Sequence, residues 1–258
     1  RNDLPGSDTV LDEVEFENIV LDKHGPIAVL TVNRPRALNA LSGATFGEIS
    51  EAIGLIMDDA EIGVLIVTGG GDKAFVAGGD LKELAALRTE LEASEMAWRM
   101  RTICDRIAGF PGPVVAALNG HALGGGAEVA VAADIRIAAD DIKIGFNQVS
   151  LVIMPAWGGA ERLGALVGRS QALLLAGTGR ILGAADAHRL GLVDEVVPRA
   201  DFAAHWRATA KLLARPSGGE IKRVINGTTT TDAVAAFARL WVADEHWVAA
   251  DKVMNKGK

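Results

Sequence analysis

The sequence predicts an α/β domain that is followed by a helical region. Up to about residue 155, short apolar runs rich in β-branched residues alternate with segments of helical periodicity. Beyond that point the chain becomes rich in alanine and leucine at helical spacing. A chain of 258 residues with 49% hydrophobic content is long enough to bury a large core. We therefore expect an α/β core with a helical cap over its last quarter.

Six short apolar runs predict the strands of the core. Two of them, 64–68 (VLIVT) and 114–120 (VVAALNG), are almost continuously apolar, which is typical of strands covered on both faces. The turn signal His24-Gly25-Pro26 separates the first two runs. The other four runs are 16–22 (FENIVLD), 27–33 (IAVLTVN), 134–139 (DIRIAA) and 142–146 (IKIGF).

Helical periodicity predicts the remaining elements. Residues 44–58 have apolar side chains at helical spacing, and we expect Ser42 to be their N-cap. A longer helical stretch is expected over residues 81–108. The C-terminal helices are expected at about 201–214, at 217–226 and from the N-cap Asp232 onward.

Two tryptophans, Trp241 and Trp247, lie on the last predicted helix and give it much apolar surface. They either pack on the parent domain or form a subunit interface. The sequence alone leaves both alternatives open.

Composition and charge exclude several classes of function. The net charge of −7 argues against nucleic acid or an anionic membrane as the main partner, because both need a basic surface. Cys104 is the only cysteine, which excludes an intrachain disulfide and favours a reducing compartment. We find no signal-peptide pattern, no apolar run of membrane-spanning length, and no metal-ligand spacing of His, Cys and carboxylates. We therefore expect a soluble cytoplasmic protein without a metal.

Two glycine-rich turns indicate a possible ligand site. The segments 74–84 (AFVAGGDLKEL) and 118–129 (LNGHALGGGAEV) each follow an apolar stretch and precede a helix. Glycine lets backbone N–H groups point at a ligand, and a helix N-terminus adds a positive dipole end. Two adjacent turns can therefore direct two N–H donors at one oxygen, as in an oxyanion hole. Tight turning and close helix packing are the alternative for either turn alone, and neither turn has the GxGxxG spacing of a dinucleotide site.

Five segments together resemble the crotonase (enoyl-CoA hydratase/isomerase) superfamily. They stand in the family's order and approximate spacing at 33–41 (NRPRALNAL), 74–84 (AFVAGGDLKEL), 113–138 (PVVAALNGHALGGGAEVAVAADIRIA), 153–163 (IMPAWGGAERL) and 180–198 (RILGAADAHRLGLVDEVVP). The resemblance extends from about residue 15 to the end of the chain.

The resemblance implies a crotonase-like spiral of repeated ββα units over residues 15–198, which contains an acyl-CoA site, and a helical trimerisation region over 199–258. It also implies a coenzyme A thioester as substrate, no separate cofactor, and a homotrimer or a dimer of trimers. Residues 1–14, which begin with the polar segment RNDLPGSD, are expected to form a loose arm.

By position, the resemblance assigns the backbone N–H groups of Gly79 and Gly125 to an oxyanion hole for the thioester carbonyl. Glu128 matches the first of the two catalytic glutamates of the hydratases, and it lies about one helical turn after Gly125. The alternative for Glu128 is a carboxylate that only stabilises a helix N-terminus. Lys82 either holds the CoA phosphates or is solvated. The positions that match substrate-binding residues are Arg36, Ala37, Leu38, Ala77, Asp80, Leu81, Lys82, Gly124 and Trp157.

Two departures from the hydratase pattern leave the reaction open. Gln148 stands where hydratases have the second glutamate, and an amide cannot exchange a proton near neutral pH. The segment PAWGG replaces the usual PGAGG, which is similar to the ethylmalonyl- and methylmalonyl-CoA decarboxylase branch. Among other polar residues, we expect Asp80 to cap a helix, Glu161 to lie outside the pocket, and His121 to be packed or solvent-facing.

Enoyl-CoA hydratase-like activity is the function that we expect, with Gln148 positioning water for Glu128. Decarboxylation of a short malonyl-type CoA and double-bond isomerisation are the alternatives, since each needs only one carboxylate. A non-catalytic acyl-CoA-binding protein is the alternative from another class.

Overall fold

Two β-sheets form the centre of the computed structural model, which describes residues 15–255. The larger sheet contains, in spatial order, β1 (Ile19–His24), β2 (Ile27–Val32), β3 (Val64–Gly69), β5 (Val114–Leu118), β7 (Ile135–Ala139) and β10 (Glu195–Val197). The smaller sheet contains β4 (Ala74–Val76), β6 (His121–Leu123), β8 (Lys143–Gly145) and β9 (Ile181–Gly183). Neighbouring strands are parallel except for the antiparallel pairs β1/β2 and β8/β9. The predicted arm over residues 1–14 lies outside the described residues.

Successive strands alternate between the two sheets. β3, β5 and β7 belong to the larger sheet, and the strand that follows each of them, β4, β6 or β8, belongs to the smaller one. The helices that follow these pairs are α2 (Leu81–Leu84) and α3 (Glu90–Ala108), then α4 (Gly125–Ala130), then α5 (Gly159–Val167) and α6 (Arg169–Thr178). A ββα unit therefore repeats along the chain, and each glycine-rich turn lies between the second strand of a unit and its helix.

Helix α1 (Gly43–Met57) begins where the sequence predicts. The Ser42 hydroxyl accepts the N–H of Thr45 at 3.2 Å, and the Thr45 hydroxyl accepts the N–H of Ser42 at 3.4 Å. The helix buries an apolar face that includes Phe46 and Ile49. The predictions of this helix and of its N-cap are confirmed.

The prediction of one long helix over 81–108 is wrong. The chain forms the single turn α2 and then leaves the helical conformation before α3. Thr89 starts α3, since its hydroxyl accepts the N–H of Glu92 at 3.2 Å while the Glu92 carboxylate accepts the N–H of Thr89 at 2.9 Å. The two helices also differ in burial, since α2 buries none of its residues whereas α3 buries an apolar face that includes Met100 and Ile103.

The C-terminal region is helical from residue 199 to residue 254. Its helices are α8 (Arg199–Leu213), α9 (Gly218–Ile225), α10 (Thr230–Val242) and α11 (Asp244–Met254), and the short α7 (Ala184–Arg189) precedes β10. The N-cap of α10 is Thr229 rather than the expected Asp232, whose N–H donates to the Thr229 hydroxyl at 3.1 Å. Among residues 15–255, no helix is long and apolar enough to cross a membrane.

The aromatic side chains of α10 and α11 lie on the surface. Phe237 is 61% exposed and Trp241 is 46% exposed. Trp241 contacts Phe237, His246 and Trp247, with ring centroids 4.6–5.7 Å apart. These residues therefore pack on one another, and about half of their surface remains uncovered within one chain.

Candidate active site

The two glycine-rich turns lie side by side at one edge of the smaller sheet. β4 and β6 are parallel neighbours, so both segments leave the sheet at the same edge. Gly78 has φ of +98°, and a Cβ there would lie 3.4 Å from the nitrogen of Gly125. The N–H groups of Gly79 and Gly125 donate to no acceptor among the described residues. The two turns therefore meet, and Gly79 and Gly125 each keep an N–H that a ligand can bind.

The indole of Trp157 packs against both turns. A Cβ on Gly125 would overlap the Cζ3 and Cη2 atoms of the indole, and a Cβ on Gly79 would lie 3.9 Å from Cη2. The indole also meets the ring of Phe46 edge-on, with 6.2 Å between the centroids. Close packing therefore requires glycine at position 125, in addition to any role of its N–H group.

Two buried asparagines fix the loop that leads into β4. The Asn39 amide donates to the carbonyl oxygens of Gly70 at 3.0 Å and Ala74 at 2.8 Å. The Asn119 amide donates to the carbonyl oxygen of Gly71 at 2.8 Å. Each asparagine stands inside a segment of the family resemblance, but its contacts are with a loop more than 30 positions away. The sequence gives no signal for these contacts.

Glu128 lies in α4 and is only 2% exposed. Its Oε2 accepts the N–H groups of Trp157 at 2.7 Å and Gly159 at 3.0 Å, and its Oε1 accepts Nε2 of Gln148 at 2.9 Å. Burial raises the pKa of Glu128 from its ordinary 4.5 to about 7, and the hydrogen bonds act against this rise because they favour the ionised form. A carboxylate with such a pKa can both accept and release a proton near neutral pH.

The two oxygens of Glu128 are occupied unequally. A carboxylate offers about four lone pairs, two on each oxygen. Oε2 accepts two hydrogen bonds and Oε1 accepts one, and the backbone N–H of Ala156 also acts on the carboxylate. Gln148 is 8% exposed, and its own carbonyl oxygen has no hydrogen-bond partner among the described residues. The site therefore presents two acceptor atoms, Oε1 of Glu128 and the amide oxygen of Gln148.

A pair of cavities lies next to the turns. The predicted residues Leu38 and Ala77 line a cavity of about 360 Å³. Its wall also includes charged or titratable residues that the sequence does not assign to the site: Asp72, Lys73, His121, Asp141 and Arg199. Arg36, Leu38 and Lys73 line a second cavity of about 310 Å³, and the short 3₁₀ helix Pro35–Ala37 carries Arg36. The predicted positions around residue 36 are thus joined to those around residue 77.

The other residues predicted to bind substrate lie around α2 and before α4. Asp80 is the N-cap of α2, accepting the N–H of Lys82 at 3.3 Å, and it forms an ion pair with Arg34 at 3.2 Å. Leu81 and Lys82 are exposed on that helix. The N–H of Gly124 donates to the carbonyl oxygen of Gly145 at 2.9 Å, which fixes the turn before α4. The prediction that Asp80 caps a helix is confirmed.

Glu161 and His121 make contacts of other kinds. The Glu161 carboxylate is exposed on α5 and pairs with Arg101 at 2.7 Å, so it lies outside the site as expected. Nδ1 of the half-buried His121 accepts the N–H of Lys143 at 3.1 Å, while the residue borders the larger of the two cavities beside the turns.

Comparison with known sequences gives consistent matches. A sequence model of the enoyl-CoA hydratase/isomerase family matches residues 22–237. The short-chain-enoyl-CoA hydratase of Clostridium acetobutylicum is 42% identical over 184 residues, which are 71% of this chain and 70% of that protein. The crotonyl-CoA hydratase of Syntrophomonas wolfei is 44% identical over 182 residues, which are 70% of each protein.

Solved structures match over almost the whole chain. An enoyl-CoA hydratase of Bacillus anthracis superposes with a TM-score of 0.86 at 32% identity, covering 93% of this chain and 97% of that one. DspI of Pseudomonas aeruginosa superposes with a TM-score of 0.86 at 29% identity, covering 95% of this chain and 97% of that one.

Proposed function

Since the chain belongs to the enoyl-CoA hydratase/isomerase family, we propose that it adds water to the double bond of a 2-enoyl-CoA, with Glu128 moving the proton. It has the crotonase fold and is an enoyl-CoA hydratase-like enzyme that acts on acyl-CoA thioesters. The observation that carries the proposal is the buried, hydrogen-bonded pair of Glu128 and Gln148, in which the amide oxygen of Gln148 has no partner among the described residues and can accept an O–H of water.

The free N–H groups of Gly79 and Gly125 bind the thioester carbonyl oxygen in this proposal. Negative charge collects on that oxygen as water adds to C3 and the thioester becomes an enolate. Donors already directed at the oxygen stabilise this charge, and losing one typically costs about 2–4 kcal/mol of transition-state stabilisation. The support for this role is that both groups are unpaired and lie on turns in contact with each other.

Water is held between the two acceptors. It donates one O–H to Oε1 of Glu128 and the other to the amide oxygen of Gln148, which leaves its oxygen free to attack C3. Glu128 takes a proton as the C3–O bond forms and then delivers one to C2 as the enolate collapses. The hydroxyl ends on C3 and the hydrogen on C2, so one carboxylate completes the addition. Gln148 exchanges no proton and only orients the water.

Coenzyme A lies along the two cavities in this proposal. Leu38 and Ala77 contact the pantetheine arm close to Gly79, and Arg36 and Lys73 stand where the phosphates need cationic partners. Lys82 is exposed on α2, and we propose that it also contacts the phosphates. The thioester enters as substrate, and no separate cofactor takes part.

The same proposal extends to assembly and location. Residues 15–198 form the catalytic core, and residues 199–258 assemble a homotrimer or a dimer of trimers. The exposed aromatic surface of α10 and α11 supports the assembly, because such surface on a single chain is typical of an interface. The cytoplasm is the proposed location, and the single cysteine, Cys104, supports a reducing compartment.

Isomerisation and decarboxylation are the second candidates. Among the described residues, no other carboxylate contacts Glu128 or Gln148. An isomerase needs one carboxylate to move a proton from C2 to C4, and a decarboxylase needs one acid to protonate C2. Either reaction could therefore proceed with Glu128 alone.

A substrate panel tests the proposal. The protein is incubated with crotonyl-CoA, a 3-enoyl-CoA, methylmalonyl-CoA and ethylmalonyl-CoA, and products are identified by mass spectrometry. We expect 3-hydroxybutyryl-CoA from crotonyl-CoA with the highest kcat/KM. Gln148→Leu, which removes one hydrogen bond to the charged carboxylate and the acceptor for water, should lower hydration by about 10- to 100-fold while thioester binding persists. Gln171→Leu, at an exposed position of α6, is the matched control.

Two results would contradict the proposed hydration. One is isomerised or decarboxylated product forming faster than the 3-hydroxy product. The other is tight thioester binding in calorimetry without turnover of any substrate, which would assign the chain to the non-catalytic class.

A further inference from the structure

We propose that Arg162 is a positioning residue for the proton-transfer step. Its guanidinium holds the loop Trp157–Gly159 so that two N–H groups of this loop occupy Oε2 of Glu128, which leaves Oε1 as the oxygen that exchanges the proton. This role rests on the proposed function only in that Glu128 moves the proton.

The loop has a backbone shape that directs its donors to one point. Gly158 has φ of +88°, in the left-handed region, and a residue of this kind turns the N–H groups around it toward one side. The N–H groups of Trp157 and Gly159 accordingly reach the same oxygen of Glu128, at 2.7 Å and 3.0 Å. A small change of this backbone would move both donors at once.

Arg162 joins the loop to a neighbouring helix. Its Nη1 donates to the carbonyl oxygen of Trp157 at 3.2 Å, and its Nη2 donates to Oδ1 of Asp105 on α3 at 2.5 Å. The guanidinium lies directly over Gly158, since a Cβ on that glycine would overlap Nη1. The arginine side chain is only 21% exposed. It therefore anchors the loop to α3, a helix of 19 residues.

The charges on α3 and α5 compensate one another. The thiol of Cys104 on α3 interacts with Glu128, and Arg101, Asp105 and Arg162 also act on that thiol. Arg162 pairs with Asp105 at 2.5 Å, and Arg101 pairs with Glu161 at 2.7 Å and with Asp105 at 3.8 Å. Burial raises the pKa of Cys104 to about 12, so this thiol stays neutral. Arg101 lies in the same patch but does not touch the loop, which makes it a matched control.

Loss of the guanidinium should make Glu128 hold its proton more tightly. A hydrogen bond from an N–H favours the ionised carboxylate, so weaker bonds from the loop raise the pKa of Glu128 above about 7. The loss of one such hydrogen bond to a charged group raises the pKa by roughly one unit. Asp105, which then keeps only its longer contact with Arg101 at 3.8 Å, adds negative charge that is less well compensated and acts in the same direction. Water entering a loosened loop would act in the opposite direction, because it relieves the burial.

Infrared titration of the Glu128 carboxyl group tests this role without any turnover. The difference between each protein and its counterpart carrying Glu128→Gln isolates the carboxylic acid band of this residue, and the band is followed from pH 5 to pH 9. We expect the midpoint of Arg162→Met to rise by about one pH unit. Arg101→Met should raise it by much less, because Arg101 pairs with Glu161 and Asp105 but makes no hydrogen bond to the loop. Asp105→Ala, at an exposed helical position that tolerates alanine, should give a smaller rise.

The signs of these shifts decide the proposal. A titration midpoint in Arg162→Met equal to or below that of the wild type would overturn the proposal. A fall of the midpoint in Asp105→Ala would also overturn it, because loss of a negative charge alone lowers the pKa of Glu128. If the enzyme hydrates crotonyl-CoA, the acid limb of its rate profile should move with the infrared midpoint. If no substrate turns over, the proposed function fails while the infrared result still decides the role of Arg162.

Discussion

At the scale of single residues, Glu128 is held between two opposing influences. Burial disfavours the ionised carboxylate, while hydrogen bonds from the backbone N–H groups of residues 156, 157 and 159 and from the Gln148 amide favour it. The resulting pKa of about 7 leaves the group close to half ionised at neutral pH. Among the described residues, no lysine or arginine pairs with it. A basic partner would lower the pKa and fix the ionised state, which a proton-exchanging group must avoid.

Glu128→Gln should make the protein more stable at alkaline pH while abolishing turnover. The pKa of Glu128 is raised from 4.5 to about 7 in the folded state, so the fold is most stable with this group protonated. The protonated group contributes about 3 kcal/mol to the free energy of unfolding, and this contribution is lost as pH rises from about 4.5 to about 7. Glutamine cannot ionise, so the variant keeps this contribution at high pH. Denaturant unfolding at pH 8 should therefore give the variant a free energy of unfolding about 1–3 kcal/mol above that of the wild type.

The comparison at low pH is the control for this stability effect. Near pH 4 the wild-type carboxyl group is protonated in both states, so the two proteins should unfold with equal free energies. Equal stabilities at pH 8 would mean that the fold does not disfavour the ionised form of Glu128.

The sequence predicts some residues of the site and not others for a physical reason. Glu128 and Gln148 stand in segments whose order and spacing match the family, so their positions follow from the resemblance. Arg162 stands in such a segment too, but its partner Asp105 lies 57 positions away on another helix. The sequence shows that residue 162 is charged, but which residue pairs with it depends on how the helices pack in the folded protein.

At the scale of elements, the length of a strand determines whether it can be predicted from the sequence. β3 and β5 are buried on both faces and appear as continuous apolar runs, so both are predicted. β4 and β6 have three residues each, which is too short for any periodicity to appear. Their parallel pairing nevertheless brings the two glycine-rich turns together. Similarly, α10 ends at the extended residue Ala243 without a glycine or proline to mark the break before α11.

Gly125→Ala should impair catalysis far more than stability. The new methyl group overlaps the Trp157 ring, so either the ring or the start of α4 must move. Displacing one oxyanion donor should lower kcat/KM by about 100- to 1,000-fold, whereas the overpacking should cost only about 1–3 kcal/mol of unfolding free energy. Gly164→Ala is the control, since that position lies inside α5 with nothing within 4 Å of a Cβ.

Steady-state kinetics and thermal unfolding of the two variants separate the effects. Gly164→Ala should keep the wild-type kcat/KM. Its free energy of unfolding should rise by up to about 1 kcal/mol, because alanine favours a helix interior more than glycine does. Wild-type kinetics in Gly125→Ala would exclude the oxyanion role of this turn.

At the scale of the whole molecule, the surface of α10 and α11 is the feature that a single chain leaves unexplained. Phe237, Trp241 and Trp247 remain about half exposed or more, although large apolar side chains on one face normally find a partner. Of the two alternatives that the sequence leaves open, packing on the parent domain does not cover these rings. Contact between copies of the chain is the proposed alternative.

Sedimentation equilibrium should therefore give three or six times the chain mass of 26.9 kDa. Phe237→Glu, which places a charge in the exposed aromatic surface, should shift the distribution toward the monomer, because burying an unpaired charge is costly. Ala93→Glu, at an exposed position of α3 outside residues 199–258, should leave the assembly intact. A wild-type protein that sediments as a monomer at micromolar concentration would contradict the proposed assembly.

The pH dependence of crotonyl-CoA hydration tests most directly whether ionised Glu128 moves the proton. In the wild type, kcat/KM should rise from pH 5 and level off above a midpoint near 7, because the base must be ionised before it accepts a proton from water. Glu128→Gln should be inactive at every pH while still binding the thioester. For a decarboxylase, kcat/KM would instead fall as pH rises through this midpoint, because protonation of C2 needs the protonated acid. Hydration that persists in Glu128→Gln, or that is fastest at pH 5, would contradict this assignment.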